Sequence, residues 1–296
     1  MAALITSDFD IPASISEGIF KKAQTGSALA QLSGARPQTF GKNQAWVLTA
    51  APKAELVGEG ISKSPTPTTY APKVINPFKL QVTMRFSQEV QWADEDVQIG
   101  ILSDLADNAG IALGRALDLV GIHKINPLTG SVSDQIKEGL IDTTQSVTLS
   151  GTKYDEAIES AAGIIISAGY NPAGIAMDPT LSFGLSTMRD NEGRKLYPEL
   201  GFGQHVTNFE GMTAAISDTV SAKNEIATAS NLLGIVGQFD AFRWGVQRSI
   251  GAHLIEFGDP DGLGDLQRNN QIAIRAEIVY GIGIMDQNAF VKVLGA

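Results

Sequence analysis

Asp259, Asp261 and Asp265, interleaved with Gly262 and Gly264, form the densest group of potentially reactive side chains in this sequence. Carboxylates separated by turn-forming glycines are the raw material of an oxygen-ligand calcium loop. The spacing fails the stricter test: the glycines do not fit a helix–loop–helix calcium site, and no bidentate glutamate follows at its twelfth position. A glycine-rich hairpin tip is the better reading. A second acidic run, Asp94, Glu95 and Asp96, could pass for catalytic carboxylates. It stands just before a helical pattern, where acidic side chains cap free amides and face the positive end of the helix dipole.

Other chemistry finds less support. His123, His205 and His253 lie far apart and none has metal-pair spacing. Gly58-Glu59-Gly60 and Gly281-Ile282-Gly283 lack the further glycines and the lysine of a phosphate loop, and no G-x-S-x-G elbow occurs. With Cys 0, disulfides, thiolate zinc sites and cysteine nucleophiles are all excluded. No acid, base and nucleophile converge, so the expectation is a protein that is not an enzyme and carries no cofactor and no metal. The rival from another class is a carboxylate-based or calcium-dependent enzyme centred on Asp259, Asp261 and Asp265.

Composition narrows the rest. The 296 residues suffice for one large or two smaller domains, and 43% hydrophobic residues suffice for a core. The net charge of −10 provides no global positive field for nucleic acid or an anionic membrane. No stretch approaches eighteen uninterrupted apolar residues, and the first residues lack a basic region followed by an apolar run. Many glycines, with only 18% charged residues, suit a surface that meets copies of itself.

The elements that must position these residues are unusually long. Residues 94–120 predict a single helix: Ile101, Leu105, Ala109, Leu113, Ala116 and Val120 recur at three- and four-residue steps, with Asp104, Asp107, Asn108, Arg115 and Asp118 on the opposite side. In Phe78, Leu80, Val82, Met84 and Phe86 every second residue is apolar, which predicts a strand buried on one face, with residues 45–49 as its antiparallel partner. Between them, residues 58–73 are rich in Gly, Ser, Thr and Pro and predict a long hairpin excursion with a polar tip. Upstream, Ser14 and Glu17 form a capping-box pair ahead of the narrow apolar stripe Ile15, Ile19 and Phe20, a short helix that needs a partner surface.

Beyond the long helix the texture changes. Thr152 and Asp155 predict the cap of a second helix whose buried face is Tyr154, Ile158, Ala161, Ala162 and Ile165. A short buried strand at 174–177 follows, and Asp178-Pro179 opens a third helix ending near 190–193. Residues 242–257, 271–284 and 289–293 read as three strands that pair with one another and pack on the long helix. The middle lobe is then an insertion.

The order of these pieces resembles the major capsid proteins of tailed phages with the Hong Kong 97-type fold. The resemblance rests on the capped arm helix, the two-stranded excursion containing Val57-Gly58-Glu59-Gly60, and Phe86-Ser87-Gln88-Glu89 leading into the long helix. It continues in Met177-Asp178-Pro179, Asp190-Asn191-Glu192-Gly193-Arg194, Gly237-Gln238-Phe239, Arg275 and Ala289-Phe290-Val291-Lys292-Val293. It implies an α+β fold divided into an N-terminal arm (1–35), an extended loop with flanking strands (36–90), a spine helix of the peripheral domain (91–124), an inserted α/β axial domain (125–238) and peripheral strands (239–296). It further implies hexamers and pentamers in an icosahedral shell around packaged double-stranded DNA, assembled in the host cytoplasm and retained in the virion.

The implied contacts between subunits are Lys53, Glu59, Lys63, Tyr70 and Lys73 on the extended loop and Ile15, Ile19 and Phe20 on the arm. Because the arm pattern begins so near Met1, a separate scaffolding protein is expected in place of a cleaved scaffold segment, together with a portal and a cement protein; cross-linking through the loop lysines stays unassigned. The same fold would also serve an encapsulin-like nanocompartment shell, which is the alternative.

Overall fold

The computed structural model describes residues 26–50, 52–60, 62–65, 69–92, 95–198, 200, 207–226 and 230–295. The arm stripe Ile15, Ile19 and Phe20, the helix-opening Asp94 and His205 lie outside them. A helix α1 (Ala28–Leu32) is followed by strands β1 (Asn43–Ala50) and β2 (Thr69–Ser87), and then by the long helix α2 (Glu95–Asp118). The middle lobe supplies β3 (Ser146–Thr148), α3 (Tyr154–Ser167), β4 (Gly174–Met177), α4 (Pro179–Thr187), β5 (Asn208–Phe209), β6 (Met212–Ile216) and β7 (Leu232–Gly237). Strands β8 (Phe242–Ile255), β9 (Gln271–Ile284) and β10 (Phe290–Leu294) complete the chain.

Two sheets carry the architecture. A four-stranded sheet runs β1-β2-β9-β8 and a six-stranded one runs β3-β10-β7-β4-β6-β5. The pairing of the last three strands corrects the sequence expectation: β8 and β9 form the expected hairpin, whereas β10 crosses to the middle lobe, antiparallel to β7 and parallel to β3. The reason lies in its two buried faces. Phe290 packs edge-on to Phe239 in the core beneath α2, while Val291 and Val293 point into the opposite core under α3 and α4. A strand apolar on both sides belongs inside a sheet covered on both sides.

The alternating strand is longer than its apolar repeat suggested. All 19 residues of β2 are extended, roughly 60 Å, and it changes partner along its length. Residues 76–87 pair with β9, and residues 69–75 pair with β1. The excursion therefore begins as a regular two-stranded ribbon, and Tyr70 and Lys73 sit on its strand, not in its loop.

α2 buries Ala106, Ala109, Leu113 and Leu117 against the inner face of the four-stranded sheet, together with Trp244, Tyr280 and Ile278. The same cluster continues through Ala176, Leu232, Ile235 and Phe290, so the inserted lobe shares a core with the long helix. Two details depart from the periodic reading. Asp118, expected on the solvated side, is 0% exposed. α3 starts at Tyr154 without a side-chain cap, and Asp155 instead accepts from the Glu156 amide. The Asp178 cap and the Pro179 start of α4 follow the expectation, with the Thr180 amide donating to Asp178 at 2.8 Å. α4 ends at Thr187, and residues 190–193 form a separate turn bridged between Arg189 and Lys195.

The junction of β10 with β7 depends on Gly237. A Cβ there would collide with the Phe290 ring and lie 2.7 Å from the Ala289 carbonyl oxygen, which is backbone and cannot yield. Gly237→Ala is expected to destabilise the subunit by about 1–3 kcal/mol in denaturant unfolding, the usual cost of overpacking; an unchanged midpoint would show that the two strands have room to part.

Candidate inter-subunit surface

The ribbon of β1 and β2 shows the least usual surface in the molecule. Paired residues in an antiparallel ladder share a face, so Trp46 with Pro72, Leu48 with Tyr70 and Gln44 with Val74 form one side. That side faces solvent: Trp46 is 64% exposed and Tyr70 56%, with Leu48, Pro72 and Val74 exposed beside them. The opposite side is the covered one, where Ala45 and Ile75 are buried against Met285 and Val47 packs beside them. A two-stranded ribbon with apolar residues on both faces has one face too many for its own subunit.

At its base this face opens into a cleft of about 450 Å³ lined by Pro72, Val74, Phe78, Ile136, Ile282 and Ile284. Lys73 closes one wall by donating to both carboxylate oxygens of Glu138, at 2.9 and 3.0 Å. Lys73 is thereby held by its own subunit. Lys53, Glu59 and Lys63 are exposed on the loop beyond the ribbon, which turns at Gly60 with φ +80°. Trp46, Leu48 and Val74 carry no motif that marks them in the sequence. Their signal was the lack of any polar alternate in residues 45–48, which marks a strand needing cover on both sides.

The aspartate-rich hairpin between β8 and β9 is occupied from within. Arg85, on β2, donates from Nε to both oxygens of Asp261 at 2.8 and 2.7 Å. Its Nη2 bonds Asp259 at 3.0 Å and the Gly264 carbonyl at 2.9 Å, and also contacts Asp261. The Gly262 and Gly264 amides donate to Asp259, the Leu263 amide to Asp261 and the Arg268 amide to Asp265. Hydrogen bonding to Arg85 holds the Asp261 carboxyl below its ordinary range. These carboxylates are acceptors already filled by a guanidinium and turn amides, an arrangement that pins a hairpin tip. Among the described residues no three His, Cys, Asp or Glu side chains are grouped to hold a metal ion, and no helix is long and apolar enough to cross a membrane.

The frame that carries the ribbon is knotted at the end of α2. Asp118 accepts from Ser27 Oγ at 2.5 Å, the Ala28 amide at 2.9 Å, the Leu29 amide at 3.0 Å and Thr219 Oγ1 at 2.8 Å. Burial pushes its carboxyl pKa up, and these four donors pull the other way. One turn earlier, Arg115 spans Asp218 and Glu225; one turn later, His123 Nε2 lies 2.9 Å from the Val220 carbonyl, which can only accept, so that nitrogen carries the proton. A single helix end thus holds α1 on one side and residues 218–225 of the middle lobe on the other.

Two outcomes test these placements. Calcium at millimolar concentration should leave the wild-type melting midpoint where it is, and Asp261→Ala should lower that midpoint by freeing Arg85; a calcium-induced rise would restore the metal reading. Burial lowers the His123 pKa from 6.5. The folded subunit therefore keeps a neutral imidazole after the unfolded chain has taken up a proton. The stability contributed is complete above about pH 6.5 and is lost as the pH falls below it, by at most about 1.4 kcal/mol per pH unit. His123→Gln retains a donor for Val220 and should remove that part of the acid sensitivity; an identical pH profile would contradict the assignment.

The Phage capsid family model matches residues 8–294. The chain is 22% identical over 250 residues to the probable major capsid protein gp17 of Mycobacterium phage D29, covering 80% of this chain and 75% of that one. Among solved structures it superimposes on a chain from Mycobacterium phage Ogopogo with TM-score 0.81 and 49% identity, covering 91% of this chain and 92% of that one. A chain from Gordonia phage Cozz follows with TM-score 0.79 and 32% identity over 91% and 86%. An apolar ribbon left uncovered by its own subunit and aspartates engaged by arginine suit a structural role, and the chain belongs to the phage capsid family.

Proposed function

We propose that this chain forms the shell of a tailed phage, as hexamers and pentamers of an icosahedral capsid enclosing packaged double-stranded DNA. The observation that carries the proposal is the outward apolar face of the ribbon, Trp46, Leu48, Tyr70, Pro72 and Val74. Such a face marks a surface that a neighbour covers, and a heterologous contact repeated around a ring closes into capsomers. In the Hong Kong 97-type arrangement, residues 36–90 act as the extended loop, 91–124 as the spine helix, 125–238 as the axial domain and 239–296 as the peripheral strands, with β10 reaching back into the axial sheet. Residues 1–35 act as the arm, and Ile15, Ile19 and Phe20 are its contacts.

Lys53, Glu59 and Lys63 on the loop meet the adjacent subunit together with Tyr70 on the ribbon's outward face and Lys73 at its root, where it is paired with Glu138. A net charge of −10, with Asp104 and Asp107 exposed along the spine helix, supports a wall that encloses DNA without binding it tightly. A scaffolding protein, a portal and a cement protein are the expected partners, and the host cytoplasm is the expected place of assembly. Kinship with phage proteins supports a genome over the enzyme cargo of an encapsulin-like compartment.

Expressed alone and with its neighbouring genes, the protein should give closed shells, or capsomers that close when a scaffold is added, in negative-stain microscopy and sedimentation velocity. Trp46→Asp with Tyr70→Asp should block assembly, since buried aromatic anchors each carry about 2 kcal/mol or more at an interface, while the melting midpoint of the free subunit stays near wild type. A persistent wild-type monomer, or a double variant that assembles normally, would overturn the proposal.

A further inference from the structure

Asp118 joins two segments that are far apart in the chain. Ser27 Oγ and the Leu29 amide share Oδ1, while the Ala28 amide and Thr219 Oγ1 share Oδ2. Every partner is a donor, and Ser27, Asp118 and Thr219 are each 0% exposed. Thr219 Oγ1 has one proton and spends it on Asp118, so Ser217 Oγ, 2.6 Å away, must donate to Thr219. The carboxylate therefore orders a chain of hydroxyls reaching into residues 217–219. α1 is only five residues long, too short to hold its shape unaided, and its N-cap Ser27 accepts from the Ala30 amide while donating to Asp118.

We propose that Asp118 is a latch: it makes the seating of residues 27–29 and the seating of residues 217–222 one cooperative event, so that displacing the root of the N-terminal segment loosens the middle lobe's grip on the spine helix. The physical reason is that a buried carboxylate tolerates the loss of few donors. Removing the three from α1 leaves Thr219 as the one protein donor to the charge, so the carboxylate position that anchors residues 217–222 is no longer fixed. Coupling of this kind is reciprocal. Thr219 must support α1 as much as Ser27 supports the middle lobe. The inference rests on this subunit's geometry and holds whether or not the shell reading above is right.

α1 also packs on the middle lobe directly, where Leu32 approaches Gly174 of β4. The test must separate that route from the carboxylate. Hydrogen exchange followed by mass spectrometry on the full-length subunit does so, because the two routes end on different amides. Ser27→Ala should speed exchange at residues 218–222 by about tenfold, as expected when one hydrogen bond to a charged group is lost, and Thr219→Val should do the same at residues 28–31. The double variant should show less than the product of the two effects. Effects confined to each variant's own segment, effects that multiply independently, or a Ser27→Ala response appearing only in β4 and β6 would each overturn the latch. Both substitutions keep Asp118 in place, so the outcome does not depend on whether an Asp118 variant folds.

Discussion

A carboxylate with no access to water must be satisfied entirely by protein donors, and in this subunit that requirement falls on Asp118. Leaving such a group unpaired costs about 3–5 kcal/mol, a large part of the net stability of a domain. Its donors come from either side of α2, so the helix end, α1 and the loop before β7 must arrive together. Around it, Arg115 and His123 repeat the attachment one turn earlier and one turn later. Between them the helix relaxes into a π-turn over Leu119–His123 and stops at Lys124, whose φ of +59° turns the chain into the middle lobe.

A frame fixed this way can support what it does not itself cover. The core runs without a break from the four-stranded sheet across α2 to the inner face of the six-stranded sheet, and β10 stitches the end of the chain into the middle lobe. Onto that frame β2 adds a ribbon whose inner face is seated on Met285 and whose root is held by Lys73 and Glu138. Its outer face stays open to solvent. At the other end of β2, the Arg85 guanidinium and turn amides fill the acceptor oxygens of Asp259 and Asp261.

Periodic features were legible in the chain alone. The apolar steps Ala109, Leu113, Ala116 and Val120 are buried as their spacing demands, and Asp178-Pro179 opens its helix with the expected cap. Features set by a distant partner were not. Asp118 occupies a polar position on the helical wheel, and only the arrival of Ser27 and Thr219 turns that position inward. Residues 290–294 alternate well enough for either sheet, and which sheet they join depends on the second apolar face offered to Val291 and Val293. Arg85 reads as one polar alternate in a strand; nothing local announces that Asp259 and Asp261 lie within its reach. Of the exposed apolar face, Tyr70 stands out in the sequence while Trp46 and Leu48 do not, because a strand apolar on both sides reads as buried when only one subunit is considered.

The most direct test of this account is a cryo-electron microscopy reconstruction of assembled particles at a resolution that shows side chains. The account predicts that in every subunit a neighbour covers Trp46, Leu48 and Tyr70 while Asp118 keeps its four donors. A ribbon left exposed to solvent in the closed shell, or folded back onto its own subunit, would contradict it.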